Sequence, residues 1–242
     1  MSHWGKLFAL NTIINLVIYY YAPIPSGMGR GLSTKREQVT NFVGPLNNDI
    51  ISIIYGSLLG DAHAERRIGG KGTRITFYQE GSHTGYLLYL HNIISQLGYC
   101  NSEIPKITTR LGNKGKIRQI IRFSTWTYDS FNSINKDWYK DGKKVLPLSI
   151  STYLSPLALA IWIMDDGGKV GKGLKLATNN FNYKEVLYLI NILYNKYNIK
   201  STIQKTGVDN QYNIYILSES MPLLREIVLP YFHSSMKYKL RD

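Results

Sequence analysis

The chain has 242 residues, 44% of them hydrophobic, which is enough for one large domain or two small ones that share a core. Its 29 lysines and arginines outnumber its 16 acidic residues, and the net charge of +13 indicates a nucleic-acid partner more than a membrane surface or mere solubility. The single cysteine, Cys100, excludes a disulfide framework and a thiolate zinc site, and the five histidines lack the paired spacing of a metal site.

The N-terminal extension, residues 1–45, is left without an assigned structure. Residues 7–22 are uncharged and mostly apolar, but the run is shorter than the ~20 residues of a bilayer span and contains two asparagines. No stable membrane insertion is therefore expected. A targeting peptide, a helix packed on the domain and a remnant of an upstream reading frame stay open as explanations. The following Pro-, Gly- and Ser-rich residues indicate a linker that ends near Val39.

Residues 46–150 contain a first series of predicted elements. A helix, IISIIYGSLLGDAH, has an apolar run that ends on Asp61. A short strand (RITFYQ), a helix (YLLYLHNIISQLGY) and two alternating strands (KITTRLGNKGKIRQIIRF) come next, with the turn between Gly112 and Gly115. A last helical region leads to DWYKDGKKVLP.

Residues 151–242 contain the same elements in the same order. The helix ALAIWIMDDGG ends on Asp166, and a strand (LKLATN) and a helix (EVLYLINILYNKY) follow. The hairpin STIQKTGVDNQYNIYIL turns around Asp209 and Asn210, and a final helix from about Met221 leads to MKYKL. Asp61 and Asp166 therefore occupy equivalent positions, about a hundred residues apart.

This duplication predicts an α+β fold built from a tandem αββαββα repeat. Such a repeat forms a pseudo-twofold dimer within one chain, and a twofold axis brings equivalent residues together. Packing the two acid-ended helices side by side would place Asp61 next to Asp166. Gly56 and Gly60, four residues apart on the first helix, would allow close backbone approach there.

Two neighbouring carboxylates at the axis point to a chemistry. Like charges raise each other's pKa, and a divalent cation such as Mg²⁺ relieves the repulsion. Mg²⁺ takes one or two carboxylates together with substrate phosphate oxygens, and in a basic protein these oxygens belong to DNA or RNA. The chemical hypothesis is phosphodiester hydrolysis by metal-activated water. Lys144 and Lys239, at matching positions near the end of each half, are candidates for stabilising charge on the phosphate.

The predicted strands supply a nucleic-acid-binding surface. In GKIRQIIRFS basic residues alternate with apolar ones, which places the basic side chains on one sheet face and the apolar ones against the helices. A twisted polar sheet can lie in the DNA major groove, where side chains contact base edges and lysines hold phosphates. The candidate DNA-binding residues are Arg74, Lys106, Arg110, Lys116, Arg118, Arg122, Lys175, Thr202, Gln204, Lys205, Asn213 and Tyr215.

The two acid-ended helices resemble the paired LAGLIDADG motifs of single-chain homing endonucleases. In LAIWIMDDG and IYGSLLGDA the matches fall on Leu159, Ala160, Asp166 and Gly167, and on Gly56, Leu58 and Asp61. Asp166, and not Asp165, therefore matches the family's metal-binding acid, and Asp165 is expected to be a flanking residue, exposed or capping. The resemblance covers roughly residues 45–242.

This resemblance implies a site-specific double-strand DNA endonuclease encoded in a group I intron. Such a monomer requires Mg²⁺ or Mn²⁺, binds a long asymmetric target along a saddle of two antiparallel sheets, and leaves short 3′ overhangs. Lys144 and Lys239 match the family's active-site lysines, and Gln79 and Asn179 match its polar, solvent-organising positions. The family, and a composition rich in Ile, Asn, Lys and Tyr, imply a mitochondrion or another organelle.

Two departures and two alternatives accompany the resemblance. Ile161 stands where the family usually has glycine, so unequal half-sites that cut one strand faster are expected. The shorter Asn179 weakens its equivalence with Gln79. The main alternative is an intron maturase, which binds intron RNA and assists splicing, and both activities can coexist. A basic nucleic-acid-binding repressor on the same scaffold would leave the acids and lysines unexplained.

Overall fold

A computed structural model of the chain describes residues 47–66, 69–112 and 115–241. The N-terminal extension and its linker lie outside these residues. The first half opens with helix α1 (Asn48–Leu59), strands β1 (His63–Arg66) and β2 (Thr73–Glu80), and helix α2 (Thr84–Gln96). Strands β3 (Thr108–Leu111) and β4 (Ile117–Ser124) and helix α3 (Asn132–Trp138) complete it.

A small hairpin and a short helix lead into the second half. They are β5 (Tyr139–Lys140), β6 (Lys143–Lys144) and α4 (Ile150–Tyr153). The second half then contains α5 (Pro156–Asp166), β7 (Gly167–Val170), β8 (Gly173–Ala177), α6 (Tyr183–Tyr197), β9 (Ser201–Lys205), β10 (Tyr212–Ile216) and α7 (Met221–Val228). A 3₁₀ turn over Ser234–Leu240 follows α7 and is here called the C-terminal turn.

Each half contributes one four-stranded antiparallel sheet, and the strand orders correspond. The first sheet has the order β1-β2-β4-β3 and the second has the order β7-β8-β10-β9. In both sheets the strand that directly follows the acid-ended helix lies at an edge. The duplicated α+β architecture predicted from the sequence is therefore confirmed, with antiparallel pairing throughout both sheets.

The structure adds elements that the sequence pattern did not separate. Edge strands β1 and β7 follow the acids directly, although β1 is only four residues long and β7 begins with two glycines. The hairpin β5–β6 lies within DWYKDGKKVLP, a segment for which the sequence predicted no element, and Asp141 and Gly142 in its turn both adopt positive φ angles. Such angles end a helix and close a tight turn.

The two acid-ended helices, α1 and α5, pack against each other between the two halves of the described residues. Asn47 caps α1 by accepting from the Asp49 amide at 2.8 Å, and Ser155 caps α5 by accepting from the Ala158 amide at 3.1 Å. In α5 all residues from Ala158 to Met164 are buried, as expected for a helix that is apolar on every face. No helix among the described residues is long and apolar enough to cross a membrane.

Candidate active site

The α1–α5 contact depends on a glycine facing a bulky residue. A Cβ atom on Gly56 would lie 2.5 Å from the Ala158 carbonyl oxygen and 2.9 Å from the Ile161 Cβ. Ile161, at the position equivalent to Gly56, fills the space that the glycine leaves. The backbones therefore approach closely, with unlike residues across the axis, and the C-terminal ends of both helices meet.

Three carboxyl groups converge where the helices end. Asp61 lies two residues beyond α1 and is exposed, whereas Asp165 and Asp166 are the last residues of α5 and are half-buried. Burial, followed by the charge of Asp61, raises the pKa of Asp166 to about 7. Desolvation also raises the pKa of Asp61, and the hydrogen bond from Gln79 opposes this increase. The acids repel one another as expected of neighbours at the axis.

Asp165 is not the exposed or capping residue that the sequence predicted. Its Oδ1 accepts hydrogen bonds from the Tyr86 hydroxyl at 2.9 Å and from Gln79 Nε2 at 3.0 Å. It also faces Gly60, where an added Cβ would collide with the Asp165 side chain. Burial and the charges of Asp61 and Asp166 raise the pKa of Asp165 well above its usual range, which favours the neutral acid.

Gln79, near the end of β2, connects the two halves of the site. It is buried, and its Nε2 donates to Asp61 Oδ2 at 2.8 Å as well as to Asp165. Its Oε1 lies 3.1 Å from His83 Nδ1, and His83 Nε2 lies 3.3 Å from the Tyr238 hydroxyl. A single amide therefore binds one acid from each half, and the C-terminal turn is joined to it through a histidine.

The two predicted lysines each bind the C-terminal end of one acid-ended helix. Lys144 Nζ donates to the Ala62 carbonyl at 3.0 Å and to the Gly60 carbonyl at 3.4 Å. Lys239 Nζ donates to three carbonyls at the end of α5, those of Ile163, Met164 and Asp165. A cation at a helix C-terminus stabilises the negative end of the helix dipole.

Both ammonium groups are also close enough to the acids for their charges to interact. Burial lowers the pKa of Lys144 to about 8 and lowers that of Lys239, while the nearby aspartates oppose both shifts. The carboxylates at an unfavourable helix end thus have their counter-charges beside them.

Asn179 requires a correction. It is exposed in the turn after β8. Gly167 pairs with Leu176 in the second sheet, and Ala64 pairs with Ile75 in the first. When the two sheets are superimposed with Asp61 on Asp166, these two registers place Thr178, and not Asn179, at the position of Gln79. Thr178 is buried, and its hydroxyl donates to the Tyr212 carbonyl at 2.7 Å.

In the first sheet the predicted basic residues lie on the face opposite the core. Arg110 and Arg118 are directly opposed across β3 and β4, and Arg122 lies opposite Tyr78; all three arginines are exposed. Arg74 is half-buried and binds Glu65 Oε2 through Nη2 at 2.6 Å. Arg118 Nη1 lies 3.7 Å from Glu80 Oε1, and the exposed Lys106 and Lys116 lie outside the strands.

In the second sheet the predicted polar residues form two rows across the strands. Lys175, Tyr215 and Thr202 make one row, and Asn213 and Gln204 belong to the next. These residues alternate with Leu176 and Ile214, which are buried, so both rows share the outer face. Lys205 has the opposite parity and is exposed at the end of β9.

The donor set fits a divalent cation shared with a substrate. Within the described residues no group of three or more histidine, cysteine or acidic side chains is arranged to enclose a metal ion. Asp61 and Asp166 offer hard oxygen ligands whose mutual repulsion a cation would relieve. Mg²⁺ is typically bound in this way, by one or two carboxylates completed by water and phosphate oxygens.

Sequence reasoning missed Tyr86, His83 and Tyr238, and it misplaced Asp165. Tyr86 looks like an ordinary apolar position of α2, and the two others are far apart in the sequence. One signal was available for Asp165. It has the same position in its motif as Gly60, and that position faces the partner helix.

Comparison with known proteins gives a family. The model of the LAGLIDADG DNA endonuclease family matches residues 51–224. The protein named cytochrome b mRNA maturase bI2 from Debaryomyces hansenii is 63% identical over 209 residues, covering 86% of this chain and 80% of that protein. The protein of the same name from Saccharomyces cerevisiae is 59% identical over 214 residues. That match covers 86% of this chain but only 51% of the yeast protein.

A solved structure is also similar. The homing endonuclease I-WcaI bound to its DNA recognition sequence is 26% identical, with a TM-score of 0.76. The match covers 88% of this chain and 96% of the other.

Proposed function

Because the chain belongs to the LAGLIDADG DNA endonuclease family, we propose that it is a site-specific endonuclease that cuts both strands of a long, asymmetric DNA target. The observation that carries the proposal is the convergence of Asp61 and Asp166 at the paired helix ends, with a lysine bound beside each helix. The half-domains are taken as residues 46–150 and 151–242.

Asp61 and Asp166 would hold the divalent ions, Mg²⁺ or Mn²⁺. When bound, such ions lower the pKa of an attacking water and stabilise the leaving 3′-oxygen. Lys144 and Lys239, held at the helix ends, would place positive charge beside the scissile phosphates, and Gln79 would orient Asp61. The short 3′ overhangs that the resemblance to homing endonucleases implies are part of this proposal.

The outer faces of the two sheets are proposed to bind the DNA. Exposed arginines and lysines of the first half neutralise phosphates, which supplies most of the affinity. The other candidate DNA-binding residues, on the outer faces of the sheets, contact base edges. A single chain carries both halves, so a monomer is sufficient. The cytochrome b names of the two relatives described above favour a mitochondrion, and the endonuclease family favours a role in intron homing.

A plasmid library with random inserts, incubated with the protein and Mg²⁺, tests the proposal and recovers the target. Asp61→Asn and Asp166→Asn should each lower cleavage by at least about a hundredfold while leaving target binding nearly intact, because an amide is a poor Mg²⁺ ligand. Asp141→Asn, in an exposed turn that asparagine tolerates, is the matched control. Full cleavage by the Asp166→Asn variant would refute the catalytic assignment.

A maturase activity is the second candidate, and the names of the relatives favour it. The presence of both motif aspartates favours cleavage, since RNA binding alone would not need them. Splicing of the intron RNA in vitro, with and without the protein, separates the two functions. The Asp166→Asn variant should retain any splicing assistance while losing DNA cleavage.

A further inference from the structure

The buried amide of Gln79 is held in one orientation by its neighbours. The amide nitrogen faces the two acids and donates one hydrogen to Asp61 and one to Asp165, so the acceptor Oε1 faces His83. His83 must then donate from Nδ1, which leaves Nε2 of a neutral imidazole as an acceptor. The Tyr238 hydroxyl lies at that nitrogen and donates to it. The hydrogen-bond chain therefore runs in one donor-to-acceptor direction, from Tyr238 through His83 and Gln79 to the two acids.

The elements that carry this chain are themselves anchored. His83 lies in a 3₁₀ turn directly after β2 and is half-buried. Tyr238 precedes Lys239, whose ammonium is fixed on three carbonyls of α5. The position of the Tyr238 hydroxyl thus follows from the same turn that holds the second acid-ended helix.

The second half has no equivalent arrangement among the described residues. Thr178, the counterpart of Gln79, donates its only hydroxyl hydrogen to the Tyr212 carbonyl and so cannot donate it to Asp166. The Gln79 amide that orients Asp61 is itself hydrogen-bonded to His83. Asp166 instead interacts with the charges of Asp61, Lys144 and Lys239. The two candidate centres are chemically unequal.

We propose that His83 and Tyr238 are positioning residues for the Asp61 centre, and that their chain to Gln79 sets the rate at which one of the two DNA strands is cut. This inference rests on the endonuclease function proposed above. Without these hydrogen bonds the Gln79 amide can rotate away from both Asp61 and Asp165. Asp165 keeps its hydrogen bond from the Tyr86 hydroxyl, so the end of α5 that carries Asp166 is affected less than Asp61.

Two substrates with the recovered target test this inference: a supercoiled plasmid, which separates nicked from linear product, and a linear duplex with one or the other strand end-labelled, which reports each strand separately. Tyr238→Phe removes one hydroxyl, and His83→Ala removes both ring nitrogens. Each should slow the cutting of one strand by about 3- to 10-fold, the effect of one hydrogen bond, while the other strand is cut at nearly the original rate. Nicked circles should accumulate.

Two further variants complete the test. His83→Asn retains a donor near the position of Nδ1 and should recover most of the lost rate. Tyr188→Phe, which removes a hydroxyl bound to the Leu148 carbonyl away from the site, should leave the strand ratio unchanged. A purely structural role for His83 and Tyr238 would instead lower the thermal stability and slow both strands equally.

The outcomes separate the two proposals. Cleavage of both strands with a strand ratio unaffected by Tyr238→Phe and His83→Ala overturns this inference and leaves the endonuclease function in place. Absence of Mg²⁺-dependent cleavage by the unaltered protein overturns both.

Discussion

Asp165 introduces a carboxyl group at a position where the first motif has a glycine. The side chain is accommodated because Gly60, directly opposite, has no Cβ. Tyr86 and Gln79 both donate to the same oxygen, Oδ1, which suits a protonated acid whose hydrogen is on Oδ2. As a neutral group Asp165 supports the hydrogen-bond network without adding a third negative charge beside Asp61 and Asp166.

Substituting Asp165 distinguishes this support from a role in metal binding. Asp165→Asn retains a carbonyl oxygen for both donors and should keep most of the cleavage activity. Asp165→Ala should lower the free energy of unfolding by about 1–3 kcal/mol, because the buried Tyr86 hydroxyl loses its acceptor. Cleavage assays and urea denaturation provide the measurements. If Asp165→Asn is as inactive as Asp166→Asn, the assignment of the metal-binding acid is wrong.

Sequence could predict the residues that have equivalents in the two halves, and also Gln79, which matches a position of the family. Asp61, Asp166, Lys144 and Lys239 were found because each pair has matching positions in the two halves. Asn179 was misplaced by one residue, since the residue at which a strand ends depends on pairing with its neighbour, which the sequence does not state. The repeat distinguishes Asp166 from Asp165, but that Asp165 faces the partner helix follows only from its packing against Gly60.

At the scale of elements, the α1–α5 pair is built from complementary shapes. Gly56 faces Ile161, and Gly60, just beyond α1, faces Asp165, so in both cases the small residue belongs to the first half and the large one to α5. The helix pair is close-packed like a protein core, where even one additional methyl group is felt. The position of both acids depends on this contact.

Gly56→Ala should therefore destabilise the protein by about 1–3 kcal/mol, since the new methyl group would overlap the Ala158 carbonyl oxygen and force the helices apart. Gly85→Ala is the matched control. At that position, in the first turn of α2, the nearest atom to an added Cβ is His233 Cε1 at 3.6 Å. Alanine should be neutral or slightly stabilising there. Equal loss of stability in both variants, measured by urea denaturation, would contradict this account of the helix contact.

The long elements followed from hydrophobic periodicity, and the short ones did not. Helices α2 and α6 and the hairpin β9–β10 appeared where the pattern predicted them. Strands β1 and β7 are formed mainly by their pairing with β2 and β8, and Gly167 and Gly168 have little strand propensity of their own. Whether such short segments form strands therefore depends on pairing in the folded sheet and not on the local sequence pattern.

At the scale of the whole molecule, the net charge of +13 is partly concentrated on one surface. Arg110, Arg118 and Arg122 share the outer face of the first sheet. The second sheet presents a mixture of hydroxyl, amide and phenol groups with Lys175. The first half should consequently supply more of the salt-dependent affinity for DNA.

Arg122→Ala should weaken binding of the recovered target and reduce the slope of log K against log salt by about one, the change expected for one lost phosphate contact. Fluorescence anisotropy titrations at several salt concentrations provide this slope. Lys184→Ala removes an equal charge from an exposed position on helix α6 and should leave the slope unchanged. A slope that falls equally in both variants would indicate a nonspecific effect of net charge.

The complementary shapes of α1 and α5 also restrict how the two halves can associate. If the first half paired with a second copy of itself, Gly56 would face Gly56 and Gly60 would face Gly60, which leaves voids along the axis. If the second half did so, Ile161 would collide with Ile161, and two Asp165 carboxyl groups would be pressed together. Each half is thus adapted to the other, and a homodimer through this surface is disfavoured, so the proposed recognition of an asymmetric DNA site would be protected against exchange into symmetric assemblies.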